Sequence, residues 1–190
     1  MRPIKVERQA AFVLHTRPYR ETSLVLEAMT RDFGRIALVA KGVRRPRSAM
    51  RGVLMAFQPL EMTWSGKGEV VTLHHAEWQG GQPLLQGRAL LCGYYLNELL
   101  LNLLPREDAH EQVFDHYART LQALSASTAP DAAFFSACLR SFEKRLLGEL
   151  GYGLMLTHDT SGEALQPQNC YLYEMESGPR VVADSSATGT

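Results

Sequence analysis

Residues 22–42, TSLVLEAMTRDFGRIALVAKG, decide the fold. In TSLVLEAMT, Leu24, Leu26 and Ala28 alternate with Ser23, Val25 and Glu27, and a period of two belongs to a strand with one face against a core. RDFGR then supplies a turn, and RIALVAKG resumes the alternation with Ile36, Leu38 and Ala40 on one face. Outward from this pair, AAFVLHTRPY precedes as a β-rich run expected to break at Arg17-Pro18. VLMAFQPLEMTW and EVVTLHHAEW follow, joined by the turn SGKG, and a Gly-Gly-Gln-Pro break at 80–83 closes the series. Five short strands with turn signals about every ten residues argue for a small antiparallel barrel or sandwich. A length of roughly 80 residues suits a five-stranded oligonucleotide/oligosaccharide-binding (OB) barrel.

From Leu84 the apolar period lengthens to that of a helix. LLQGRALLCGYYLNELLLNLLP is apolar on most faces, which predicts a helix buried in a bundle and ended by Pro105. REDAHEQVFDHYARTLQALS places Glu107, Asp108 and Glu111 at a helix start, where carboxylates complement the backbone dipole, with Val113, Phe114, Tyr117, Leu121 and Leu124 as its stripe. After ASTAP, Asp131 is a candidate cap for AAFFSACLRSFEKRLLGEL, whose stripe is Phe135, Leu139, Phe142, Leu146 and Leu150 and whose stop is Gly151 and Gly153. Two short strands are expected around Ser177-Gly178, and DSSATGT has no core-forming content. The fold class expected is therefore α+β: an OB barrel over 1–80, a helical domain over 84–153, and an irregular, short-β segment over 154–190.

Composition narrows the function classes. The chain is 45% hydrophobic and 21% charged, as in ordinary globular proteins. No apolar run nears the roughly 18 residues that would span a membrane. The start, MRPIKVERQAAFVLH, carries charges through its apolar part, unlike a signal peptide. Cys92, Cys138 and Cys170 are scattered and odd in number, which argues against a disulfide framework and for a reducing cytoplasm. The formal net charge of zero conceals an asymmetry: residues 1–80 hold 13 Lys and Arg against 7 Asp and Glu, and residues 81–190 hold 7 against 13. Such opposition suggests two modules, one of them suited to a polyanion.

Enzymatic chemistry finds no foothold. SGKGE at 65–69 lacks the spacing of a phosphate-binding loop, and HEQVF at 110–114 has Phe114 where a second zinc histidine would stand. His74 and His75 are consecutive on a strand and point to opposite faces. There is no GxSxG elbow, and the cysteines suit core positions.

The segment KGVRRPRSAMR, residues 41–51, is different. Lys41, Arg44, Arg45, Arg47 and Arg51 carry five positive charges with no acid between them. A charge run is usually a solvated face. Here, however, Gly42, Pro46 and Gly52 predict a loop between strands with an extended, mobile backbone able to follow a phosphate chain. Arginine forks also suit phosphate better than a point charge does. Arg20 and Arg35, with Arg2, Lys5, Arg8, Arg17, Arg31 and Lys67, extend the positive charge, and Phe12, Tyr19, Phe33, Trp64 and Trp78 are rings that can stack on bases or fill a core. Nothing reads base edges, so weak sequence preference and strong salt dependence are expected. On the third helix, Arg140 and Lys144 share a face with Arg145 beside it, and Phe142 and Leu139 flank them. Such a face receives an acidic peptide with a hydrophobic end, or is simply solvated beside Glu143.

The run AFVLHTRPYRETSLVLEAMTRDFGRIALVAKGVRRPRS, residues 11–48, strongly resembles the N-terminal barrel of the RecO family of bacterial recombination mediators. YYLNELLLNLLP and LRSFEKRLLGELGYG resemble that family's helical domain, and the likeness runs from about residue 8 to about residue 175. The resemblance implies an OB-fold followed by helices and a protein without enzymatic turnover or cofactor. It also implies binding to single- and double-stranded DNA, annealing of complementary strands, and work with RecR to load RecA onto DNA coated by single-strand-binding protein. Contact with the acidic, Phe-ending tail of that protein would fall to the helix of LRSFE, hence to Arg140. Two departures stand out. Only His158, Asp159 and Cys170 occupy the region where some members carry four zinc-binding cysteines, so no structural zinc is expected. The family usually continues some tens of residues further, so a C-terminal helical part is expected to be missing from this sequence. Two competing classes remain: an adaptor acting through its helices with incidental DNA affinity, and a metal-dependent nuclease, which Glu21, Glu27, Asp32 and Glu61 do not support by spacing.

Overall fold

The computed structural model describes residues 4–127, 131–175 and 177–182. Arg2, most of the ASTAP link and the DSSATGT ending lie outside them. Five strands, β1 (Ile4–Tyr19), β2 (Ser23–Thr30), β3 (Gly34–Ala40), β4 (Leu60–Gly66) and β5 (Val70–Trp78), close into a barrel in the order β1-β2-β3-β5-β4. This is the OB-fold arrangement. The alternation of residues 22–42 is realised directly: Leu26, Ala28, Ile36, Leu38 and Ala40 enter the interior, with Leu24 packed against it. Ala11, Val13, Leu60, Met62, Trp64, Leu73 and Ala76 fill the remainder.

Three details differ from the sequence expectation. First, β3 and β5 pair in parallel, Ala37 with Val70 through Ala40 with Leu73, because β4 intervenes in the chain and returns β5 to the direction of β3. Second, β1 does not break at Arg17-Pro18 but runs to Tyr19, with Pro18 opposite Leu24. Its β4 partners end at Ala11, so Pro18 lies where β1 has one named neighbour, an edge that tolerates a missing N–H. Third, β4 starts at Leu60 rather than near Val53, since residues 53–58 turn and Phe57 adopts a left-handed φ of 66°.

Three helices follow: α1 (Gly87–Leu103), α2 (Glu111–Ala126) and α3 (Ala132–Glu149). The Asp131 carboxylate accepts from the Phe134 amide at 2.7 Å and caps α3. Glu107 and Asp108 lie in the bend before α2, which opens at Glu111. Beyond α3, Tyr152 N donates to Leu147 O at 2.8 Å and Gly151 adopts a φ of 85°, the closure expected where a glycine ends a helix. β6 (Cys170–Glu174) and β7 (Gly178–Val182) form a separate antiparallel hairpin.

The chain divides into two compact units, Met1–Glu143 and Lys144–Thr190. Within the first unit the helices cover the outer face of β1. Phe12 packs against Phe114 and Tyr117, with ring centroids 5.4 Å and 5.2 Å apart. Asn97 donates from Nδ2 to Leu14 O at 2.8 Å and accepts from the Tyr117 hydroxyl. This explains why the AAFVL run of β1 is apolar on both faces: Ala11 and Val13 point into the barrel, while Phe12 and Leu14 are buried outside that interior cluster. In contrast to the buried helix expected, α1 sends Ala89, Gly93, Leu96, Asn97 and Leu100 inward and leaves Leu91, Tyr94 and Leu103 exposed.

Candidate nucleic-acid interface

The basic segment connects β3 to β4 at the end of the barrel that also carries the β1–β2 turn. Its backbone is not extended. A chain of tight turns, Arg45 N to Gly42 O, Ser48 N to Arg45 O and Arg51 N to Ser48 O, each 3.1 Å, coils it into a compact loop. Gly42 and Gly52 supply left-handed φ values of 68° and 84° that these turns require. The loop is tied to the neighbouring turn by Arg44 N donating to Thr22 O at 2.9 Å and Arg44 Nη1 donating to Glu21 O at 3.3 Å. Its underside is apolar: Val43 is buried in the barrel core, and Met50, Val53 and Leu54 pack against it. The burial of these side chains turns the arginines outward.

Lys41, Arg44, Arg45, Arg47 and Arg51 are all exposed, and among the described residues none has a carboxylate within ion-pair distance. Arg20 joins them from the β1–β2 turn, its guanidinium 5.2 Å from the ring centre of the exposed Tyr19. A cleft of about 300 Å³ opens beside Arg44 and Arg51, floored by Leu24, Val43, Met50 and Leu54 and free of acids. The arrangement presents exposed guanidinium forks above an apolar floor, and such forks match the geometry of phosphate oxygens.

Of the other cations named from the sequence, Arg17 and Lys67 are exposed without an ion pair among the described residues, and the rest of the described ones are committed elsewhere. The Arg35 side chain is only 16% exposed, donates to Leu104 O at 3.1 Å and pairs with Glu27 at 3.4 Å, so it fastens barrel to helix and is not free for a phosphate. Arg106 joins it on Glu27. Arg31 lies 3.1 Å from Asp115 and 3.2 Å from Glu111, and its hydrogen bond to Asp115 raises its pKa above the ordinary arginine value. Lys5 pairs with Glu7, and Arg8 with Glu61 at 3.1 Å. Among the rings, Phe12 and Trp64 are core, whereas Tyr19, Phe33 and Trp78 are exposed. The sequence reading expected an extended loop followed by a strand from Val53, so neither the apolar underside of the loop nor its tie to residues 21–22 was anticipated.

On α3 the three named residues separate. Arg140 is exposed and donates to Glu143 at 2.7 Å, Lys144 is exposed, and Phe142 is 1% exposed, stacked against His116 at 6.0 Å. Phe142 belongs to the helical core and cannot supply an apolar surface beside Arg140. Among the described residues, no three His, Cys, Asp or Glu side chains gather as a metal-binding group, and no helix is long and apolar enough to cross a membrane.

A closed five-stranded OB barrel with a cationic loop that faces no carboxylate, covered by helices, defines the class: an OB-fold protein with a helical module. Family comparison makes the assignment particular. Residues 1–81 match the model described as Recombination protein O N terminal, and residues 84–187 match Recombination protein O C terminal. The chain is 62% identical over 175 residues to the DNA repair protein RecO of Dechloromonas aromatica, covering 92% of this chain and 72% of that one. It is 58% identical over 176 residues to the RecO of Azoarcus sp. strain BH72, with 92% and 70% covered, and 51% identical over 176 residues to that of Burkholderia pseudomallei, with 93% and 62% covered. The chain belongs to the RecO family.

Proposed function

We propose that this protein is a non-enzymatic DNA-binding mediator of repair by homologous recombination. It binds single- and double-stranded DNA through the β3–β4 loop and Arg20, and it anneals complementary strands by neutralising phosphates that would otherwise repel. In the same reading it acts with RecR to help load RecA onto DNA coated with single-strand-binding protein, in the bacterial cytoplasm at the nucleoid. Arg140 and Lys144 on α3 engage the acidic tail of that protein; the tail's apolar end must find a wall other than Phe142. The observation that carries the DNA reading is that Lys41, Arg44, Arg45, Arg47 and Arg51 are unpaired, while Arg31, Arg35 and Arg106 in the same unit hold carboxylates.

The test is the salt dependence of binding to a dT oligonucleotide. Five phosphate contacts give a slope of log K against log salt of roughly −3.5 on single strands, since each contributes about −0.7. Arg44→Ala, Arg45→Ala and Arg47→Ala together should flatten that slope by about 2 and slow annealing. Unchanged slope and annealing in the triple variant would place the DNA elsewhere and leave the adaptor reading standing.

A further inference from the structure

We propose that the opposite end of the barrel is a docking groove for an extended segment of a partner protein, one that inserts an apolar side chain flanked by lysine or arginine. The groove has a volume of about 650 Å³ and is walled by Val6, Phe33, Ile36, Trp64 and Val71. Phe33 stands edge-on to Trp64, centroids 5.6 Å apart at 85°, and remains 37% exposed on the open side. A large ring held this way at a cleft mouth is a wall available to a ligand.

Charge selects the ligand. Asp32, Glu69 and Glu107 line the groove against one cation, Lys67. Arg31, 3.6 Å from Asp32, is shared with Glu111 and Asp115. Arg106 is hydrogen-bonded to Glu27, which Arg35 also holds, and feels the charges of Glu69 and Glu107, so the acids around the groove still outnumber the cations. The rim therefore presents net negative charge and repels a phosphate chain. It also lies far from the basic loop, since β3 leads from Gly34 beside the groove to Ala40 beside Lys41, a span of roughly 20 Å at 3.3 Å per residue. The strand edges support an extended guest. Among the described residues, Ile4, Lys5 and Val6 pair with β4 and with no other strand, because β1 meets β2 from Ala11 onward. That leaves one flank of β1 beside the groove without a named strand partner, the setting in which an added strand binds by main-chain hydrogen bonds.

The test uses Trp64 as reporter. The chain has two tryptophans, so Trp78→Phe leaves Trp64 alone. The probe is the peptide acetyl-Lys-Phe-Lys-Leu-Lys-amide, and the control carries glutamate for every lysine. The expected result is a saturable change in Trp64 emission with the basic peptide and an affinity at least about tenfold weaker for the acidic one. Glu69→Lys with Glu107→Lys, both exposed, should weaken the basic peptide about tenfold at low salt, and Phe33→Ala should weaken it with a smaller salt effect. The triple arginine variant of the basic loop should bind the peptide normally, which separates failure here from failure of the DNA reading. Absence of a saturable response, equal affinity for both peptides, or displacement of the basic peptide by a dT oligonucleotide would each overturn the proposal.

Discussion

Asn97 uses both ends of its amide inside the first unit, donating to Leu14 O and accepting from the Tyr117 hydroxyl. Tyr117 is fully buried, and burial pushes its phenol far above the ordinary tyrosine pKa, so it stays a neutral donor at any working pH. Tyr117→Phe leaves the buried Asn97 oxygen without this donor. The expected cost is about 1–3 kcal/mol, read as a lower urea midpoint with an unchanged slope. Asn97→Ala should cost more, because it orphans both the Leu14 carbonyl and the Tyr117 hydroxyl. A second residue-scale expectation concerns thiols. Burial raises the pKa of Cys92 and Cys138, whereas Cys170 is exposed. The thiolate is the nucleophile, so a raised pKa means less of it at neutral pH and slower attack. Iodoacetamide at pH 7.5 should label Cys170 first. Labelling of the other two should accelerate as pH rises through their raised pKa values; simultaneous labelling of all three would contradict this order.

At the scale of elements, the β2–β3 turn is held by the Thr30 hydroxyl on Gly34 O at 2.7 Å and by Arg31 on Asp115, and also by a close backbone approach. Gly34 has a φ of 66°, and a Cβ there would lie 1.9 Å from Asp108 O. Gly34→Ala must therefore both strain the turn and push the 107–109 bend off the barrel. The expected destabilisation is about 2–5 kcal/mol, combining left-handed strain with overpacking, and a denaturation curve within about 0.5 kcal/mol of the parent would refute it. The same turn shows how much the sequence could say. Alternation in residues 22–42 revealed the hairpin and its inward face, because a period of two is a local property. That Gly34 is needed for contact with Asp108, 74 residues later, has no local trace. The basic loop divides likewise: its glycines, proline and five cations were readable, but its coiling into turns and its tie at Thr22 depend on a neighbour brought by tertiary folding. The burial of Arg35 and Phe142 escaped the sequence for the same reason. A cation near a basic stretch, or a ring on a helix beside arginines, looks available until its long-range partners, Glu27 and Leu104 for one and His116 and Tyr117 for the other, are known.

At the scale of the molecule, the compact unit Met1–Glu143 does not stop where the sequence changes from strands to helices. The barrel's own interior is complete, yet its outer β1 face depends on α1 and α2, through Phe12 against Phe114 and Tyr117 and the Leu14 carbonyl on Asn97, and β3 is tied to the bend before α2 by Glu107 N donating to Arg35 O at 2.9 Å. Opposite charges follow the same seam, Arg31 to Asp115 and Glu111, so part of the positive excess of residues 1–80 is answered locally by the acidic half. Among the described residues, the largest group of cations left without a carboxylate is the β3–β4 loop. A fragment of residues 1–81 should then keep the loop but lose its cover. Exposing one phenylalanine costs about 1.5–3 kcal/mol, against the small margin of a domain of this size. The fragment should bind a hydrophobic dye such as ANS and unfold at clearly lower urea than residues 1–143, which should unfold in one transition. Where it remains folded, it should retain most of the salt-dependent DNA affinity, because Arg20 and the five cations of the β3–β4 loop all lie before residue 81. Equal urea midpoints for the two fragments would mean that the seam contributes nothing to stability, and the helices would then have to be explained by what they bind.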